Sequence, residues 1–292
     1  MANLERLTAR LRTMKGLGSI VHTMKTLSAV MVKQIEVKQA ELAKFKHANW
    51  MGLSAALQGS NLLAHSALDG NENEAWIIVG AERGFCGQFN KRLVEFATDK
   101  VVHHKALTGA NMLTAVGTRF SEKLTEQGLK TEMIEALPAT PEGLEHLLST
   151  LLDQIDHWRR CGGTKVHIAY TERSATGKLV IATHQIWPTQ VETLRSAMET
   201  PWPTRQKPLI LAKRIDLIGS ILRQLLRARL LNACMESMIC ESSARLSNLQ
   251  VAEDNINHRL DELTQLHHTQ RQAEITAELM DIIAAFDMSA AK

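Results

Sequence analysis

The sequence predicts an α/β protein in which a central Rossmann-like domain interrupts a long antiparallel coiled coil of N- and C-terminal helices. Three observations carry this. Apolar residues recur at three- and four-residue intervals from about Leu4 to Lys46 and again from about Lys207 to Phe286. Between these runs the pattern changes to short strands alternating with helices. The second run would form a helix roughly 120 Å long at about 1.5 Å per residue, longer than helices that pack inside one compact domain.

The N-terminal helix, within residues 1–60, carries a stripe of Leu4, Leu7, Leu11 and Met14, resumed by Met24, Leu27, Met31 and Ile35. Gly16 and Gly18 fall in the interruption, where each costs about 1 kcal/mol against alanine. A close helix contact, a bend or a local break would each account for them.

The central α/β domain is expected over residues 72–190. Ala75–Gly80 reads as a strand, Asn90–His104 as a helix, Met112–Val116 as a strand and Arg119–Gln127 as a helix. A strand around Leu129–Glu135 precedes Pro138 and Pro141, and Leu144–Arg160 reads as a helix closed by Gly162 and Gly163. Strands at Lys165–Thr171 and Leu179–Trp187 follow, then a proline-marked connector at 191–206. The C-terminal helix, 207–286, carries Leu246, Leu249, Ile256, Leu260 and Leu263, then Ala273, Leu279, Ile282 and Phe286. Two such stripes leave water by pairing with each other; the alternative is two helical regions that never meet.

Composition and charge narrow the function. The chain has 292 residues, 45% hydrophobic, and one tyrosine, Tyr170. So few aromatics argue against a surface for stacking bases, and no nucleic-acid partner is expected. Cys86, Cys161, Cys234 and Cys240 show no CxxC spacing and read as free thiols. With neither a secretory signal pattern nor an apolar run of about 20 residues, the chain is expected in the cytoplasm, reaching a membrane only through partners. The net charge of +3 is unevenly spread. Residues 1–60 hold nine Lys or Arg against Glu5, Glu36 and Glu41, and 205–229 hold seven, Arg223, Arg227 and Arg229 among them, against Asp216. Such basic stretches suit acidic protein surfaces or an anionic headgroup layer, or are simply solvated helix faces.

The segment Glu82-Arg83-Gly84-Phe85-Cys86-Gly87-Gln88-Phe89-Asn90 follows a strand but fits neither GxGxxG nor GxxxxGK[ST]. A packed turn is expected rather than a nucleotide site or a Cys86 nucleophile, for which no orienting histidine is apparent. His103-His104 and His267-His268 are adjacent pairs, about 100° apart around a helix, unlike the i,i+4 spacing of helical metal ligands. Arg159-Arg160 suits a helix C-terminus. No residue is expected to act catalytically or to hold a cofactor or metal.

Three segments, in order, resemble the gamma subunit family of F-type ATP synthases. Leu11 to Met24 is similar to IRSVKxxxxITxAM, matching at Arg12, Lys15, Ile20 and Met24 and departing at Gly16, Gly18, Ser19 and His22. Ala81–Asn90 is similar to SDRGLCGGxN, matching at Arg83, Gly84, Cys86, Gly87 and Asn90. Glu241–Leu246 resembles SExxARM, and Leu263–Leu279 resembles LTLxYNxxRQAxITxEL, with His267 and His268 replacing the tyrosine and asparagine. Ile283–Met288 replaces the small-residue ending of the family.

The resemblance implies a non-catalytic central rotor shaft that couples ion movement through a membrane ring to ATP synthesis or hydrolysis. Implied partners are three alpha and three beta subunits, epsilon and the membrane c-ring. ATP or ADP, phosphate and Mg would belong to alpha and beta, and the location would be peripheral, on the cytoplasmic face of the bacterial inner membrane. Arg12, Lys15, Lys25, Arg271, Gln272 and Thr276 are the implied partner contacts, each with intershaft packing as the alternative. The departures leave a divergent, sodium-associated form open beside an ordinary synthase. A non-rotary helical scaffold and a small-molecule enzyme built on the Cys86 loop are the competing readings.

Overall fold

The computed structural model describes residues 2–58, 74–108, 112–160, 165–206 and 208–290, without the side chains of 2, 3, 101–108 and 285–290. Cys161, Gly162, Gly163 and Lys207, and the side chains of His103, His104, Phe286, Asp287 and Met288, lie outside the described residues. The helices are α1 (Ala2–Leu57), α2 (Phe89–Thr108), α3 (Thr118–Glu126), α4 (Leu144–Arg160), α5 (Val191–Glu199) and α6 (Arg214–Ala290). The strands are β1 (Glu74–Val79), β2 (Leu113–Val116), β3 (Met133–Glu135), β4 (Lys165–Arg173) and β5 (Leu179–Trp187). Two compact units result, one of Met1–Ser28 with Leu246–Lys292 and one of Ala29–Arg245.

In the larger unit one five-stranded sheet has the order β3-β2-β1-β4-β5. β1 pairs in parallel with β2 and β4, β2 in parallel with β3, and β5 closes the edge antiparallel to β4. Successive side chains of a strand point to opposite faces, so a strand covered on both sides reads as a continuous apolar run. β1, Glu-Ala-Trp-Ile-Ile-Val, is such a strand. Ala75, Ile77 and Val79 join one core with Leu148, Leu151 and Trp158 of α4 and Ala233, Cys234 and Met238 of α6. Trp76 and Ile78 join the other, with Phe89, Leu93 and Ala97 of α2 and Phe120 and Leu124 of α3. Gly80 is required by this second core, since a Cβ there would stand 2.3 Å from the Phe120 ring.

α1 fills the expected 1–60 span nearly to its end, because Leu53, Ala56 and Leu57 keep a helical spacing and bury against Ile218 and Ile221 of α6. Two elements differ from the sequence expectation. The connector holds α5, which buries Ala197 in the same cluster, and Thr200 just beyond it is fixed to α1. There the Trp50 Nε1–H donates to Thr200 Oγ1 at 3.1 Å and the Ser54 hydroxyl to the Thr200 carbonyl at 2.8 Å. α6 begins at Arg214, not near Lys207: Leu209 and Leu211 lie outside it, 83% and 90% exposed, after a segment in which Pro201, Pro203 and Pro208 withhold three backbone donors.

The smaller unit is a helix pair. Thr8 meets His267, and His22, the same number of residues further on, meets Glu253, the same number back, so the two helices run antiparallel. The inward line of α1 passes through positions 4, 7, 11, 14, 18, 21, 25 and 28, and that of α6 through 249, 253, 256, 260, 263, 267, 270 and 274. Both keep the seven-residue repeat of a coiled coil. The stripe expected from apolar residues alone is corrected by this repeat: Leu27 is 61% exposed and its neighbour Ser28 is buried. Gly18 stands in the line, where an added Cβ would lie 3.4 Å from Ile256 Cγ2, whereas around Gly16 nothing lies within 4 Å. The helix runs through both glycines without a break, so close contact is the reading that holds at Gly18. On α6, Ala273, Leu279 and Ile282 are exposed, against the expectation that this stripe continues inward.

Candidate functional site

The loop after β1 and the segment Glu241–Arg245 of α6, far apart in sequence, form one site in the larger unit. Glu241 and Arg245 lie one helical turn apart, so both side chains reach the same face. They form an ion pair with side chains only 6% and 7% exposed. The Glu241 carboxylate also accepts the backbone N–H groups of Glu82 at 3.2 Å and Arg83 at 3.1 Å. Arg245 Nε–H donates to the Gly84 carbonyl at 3.0 Å. A buried charge is costly unless paired and hydrogen-bonded, and here each charge has both kinds of partner. The Ser237 hydroxyl donates to the Val79 carbonyl at 3.0 Å, which ties the end of β1 to the same helix.

At the start of α2, Asn90 is buried and its Oδ1 accepts the N–H of Ala81 in the loop at 2.9 Å. Glu82 turns the other way: its carboxylate accepts the Thr118 hydroxyl at 2.7 Å and the N–H groups of Thr118 and Leu137, each at 2.9 Å. Phe85 and Gly87 have φ of 63° and 60°, a left-handed conformation that glycine adopts without strain and phenylalanine does not. Phe85 is also 65% exposed. The Cys86 thiol donates to the Arg83 carbonyl at 3.6 Å. Burial, reinforced by the Glu241 carboxylate, pushes this thiol up, away from the reactive thiolate. The backbone N–H groups of Glu82 and Arg83, which in a phosphate-binding loop would face a ligand, face Glu241 instead. This is a packed turn that holds Arg83, Gly84, Cys86 and Gly87, with Asn90 of α2 bonded back to its start. The two motifs do not by themselves reveal that Glu241 and Arg245 clamp the loop; the i,i+4 spacing of opposite charges is the signal the sequence offers.

The remaining residues singled out by sequence lie on the helix pair. Arg12, Lys15, Arg271, Gln272 and Thr276 are exposed. The Thr276 hydroxyl donates to the Gln272 carbonyl at 2.9 Å. Lys25 is directed across the pair: its ammonium donates to Glu253 and, at 3.1 Å, to Gln250. His22 Nδ1 lies 2.9 Å from the other Glu253 oxygen. These two hydrogen bonds hold the Glu253 carboxyl below its usual value, Lys25 first. His267 Nε2 meets Thr8 Oγ1 at 3.3 Å across the pair, and the His267 and His268 rings stand at 80° to each other. Among the described residues no group of three His, Cys, Asp or Glu is placed to hold a metal, and no helix is long and apolar enough to cross a membrane.

The family model described as ATP synthase matches residues 3–288. The ATP synthase gamma chain of Dehalococcoides mccartyi is 23% identical over 295 residues, covering 97% of this chain and 98% of its own. That of Cupriavidus necator is 27% identical over 212 residues, 71% of this chain and 72% of its own. A chain of the Euglena gracilis mitochondrial ATP synthase, in a structure of OSCP, F1 and c-ring, superposes with a TM-score of 0.60 at 15% identity, over 99% of this chain and 95% of that one. A chain of the rotor of the same enzyme superposes with a TM-score of 0.59 at 13% identity, over 94% of this chain and 99% of its own. At these identities the structural likeness establishes the fold.

Proposed function

The chain belongs to the ATP synthase gamma family, and from that premise we infer that it is the central shaft of a rotary F-type ATP synthase or ATPase. It is a non-catalytic subunit. The observation that carries the reading is the antiparallel helix pair with an unbroken seven-residue repeat, in a chain matched to the family over residues 3–288. Such a pair makes a stiff rod whose outer face differs from side to side. Leu17, Ile20 and Arg12 mark that face on α1, and Val251, Leu266 and Arg271 on α6. A rod of this kind, turned inside a ring of similar subunits, contacts each one differently and so favours a different state in each.

The surrounding ring is three alpha and three beta subunits, which hold ATP or ADP, phosphate and Mg; epsilon and the membrane c-ring complete the rotor. The assembly is peripheral, on the cytoplasmic face of a bacterial inner membrane. Arg12, Lys15, Arg271, Gln272 and Thr276 face the ring, and Lys25 acts through Glu253 by holding the register of the pair. Arg83 to Asn90 serve as the clamped turn that fixes the sheet on α6. The test is ATPase activity of the alpha-beta head with and without this chain, together with the mass of the complex. One copy per three alpha-beta pairs with altered turnover supports the shaft. A folded chain that binds no head under conditions preserving a known rotor complex supports the non-rotary scaffold instead.

A further inference from the structure

Arg229 of α6 stands between two cavities of the larger unit that the shaft role leaves unused. One, of about 410 Å³, is polar and is lined by Lys46, Tyr170, Thr183, His184, Gln190 and Asn232, with no carboxylate among the described residues of its wall. The other, of about 360 Å³, has an apolar wall that includes Leu152, Trp187, Leu222, Leu225 and Leu226. Ile186, Thr193 and Arg229 line both.

The charges nearby are already engaged, except one. Asp156, in the apolar cavity, accepts from Arg159 at 2.7 Å and from Arg223 at 3.1 Å, and the Arg159 guanidinium lies 4.2 Å over the Trp187 ring. Glu236, whose charge is felt at Tyr170, accepts from Gln39 at 2.8 Å. Glu172 is hydrogen-bonded to the Tyr170 phenol, and burial and these two carboxylates raise that phenol to about 12, so it stays a neutral donor. Among the described residues the Lys46 ammonium meets the neutral Asn232 Oδ1, at 3.4 Å, and no carboxylate. Among the described residues Arg229 has no hydrogen bond or ion pair, and burial alone lowers its affinity for its proton. A half-buried guanidinium without a partner is unfavourable and is relieved by an anion. A polar cavity with cationic and neutral donors on one side and an apolar cavity on the other fit a ligand with an anionic head and an apolar body.

We propose that Arg229, with Lys46 and His184, binds the phosphoryl head of a small amphipathic ligand whose alkyl portion occupies the cavity walled by Trp187, Leu222, Leu225 and Leu226. The site is independent of the shaft reading. The head chemistry is shared by a lipid and a free alkyl phosphate, and titration calorimetry on the full chain separates them with octyl phosphate, lysophosphatidic acid, inorganic phosphate and octanol. Octyl phosphate is expected to bind at least about tenfold tighter than inorganic phosphate or octanol. Arg229→Met weakens it about tenfold or more, as loss of a hydrogen bond between charged groups requires, and Arg229→Lys recovers part. Leu226→Trp weakens octyl phosphate and leaves inorganic phosphate unchanged. Tighter binding of lysophosphatidic acid identifies a lipid; equal binding identifies a soluble phosphate. Without ligand, Arg229→Met melts no lower than the native chain. Octyl phosphate bound no better than octanol, unchanged binding by Arg229→Met, or a ligand-free Arg229→Met that melts lower would each overturn the proposal.

Discussion

Between Ala228 and Arg245, α6 is buried on most of its faces: Leu230, Ala233, Cys234, Met235 and Ser237 are at most 1% exposed, and its charged pair is sealed. From Gln250 to Ile283 the same helix buries one line of side chains and leaves Val251, Leu266, Ile275 and Ile282 about half in water. The first region holds its neighbours by specific, desolvated contacts, so any one loss is felt throughout the sheet. The second holds its partner through a repeat, in which each position contributes a little and the outer face stays available. A part that must stay fixed to the shaft calls for the former, and a part that must slide past successive partners calls for the latter.

The sharpest break in that contrast is Arg245→Met, which leaves the Glu241 carboxylate buried without its cation. It should cost about 3–5 kcal/mol, read as a lowered thermal midpoint of the larger unit. Replacing both residues by apolar ones of similar shape should recover most of it. On the helix pair, Leu263→Ala removes a side chain that is 9% exposed and should cost about 2 kcal/mol, less than the clamp because the pair relaxes around the gap. The glycines refine the comparison. Gly16→Ala adds a methyl group in open space and should stabilise the pair by about 1 kcal/mol, whereas Gly18→Ala meets Ile256 and should gain less. If both gained equally in chemical denaturation, the close approach at Gly18 would be wrong.

The smallest effect is on pH. Glu253 is held below its ordinary 4.5 by Lys25 and His22, so its contribution is present above that value and is lost as pH falls through the lower one of the folded state. Helicity of the pair should therefore melt at lower temperature as the solution is acidified below about pH 4, and Lys25→Met should flatten that dependence.

The two regions also differ in how far the sequence exposes them. Strand and helix positions of the α/β domain follow from local alternation and from turn residues, and β5 and α4 occur at the expected Leu179–Trp187 and Leu144–Arg160. The clamp was hidden because Glu241 and Arg245 look like an ordinary surface i,i+4 pair; only the pairing of distant segments buries them. In the helix pair the error ran the other way. Hydrophobicity placed Leu27, Leu279 and Ile282 inside, but the inward line is chosen by the repeat shared with the partner helix, which admits Gly18, Lys25 and Ser28. α5 escaped notice because its nine residues bury only Ala197 and lie between prolines that read as linker.

The shaft reading requires that this chain turn within the alpha-beta head. The most direct measurement attaches a bead to an exposed residue of α2, such as Lys91 changed to cysteine, in a complex whose alpha-beta head is fixed to a surface. Steady rotation in one direction on addition of ATP is the predicted result. A complex that hydrolyses ATP at its full rate while a firmly attached bead stays still would contradict the account.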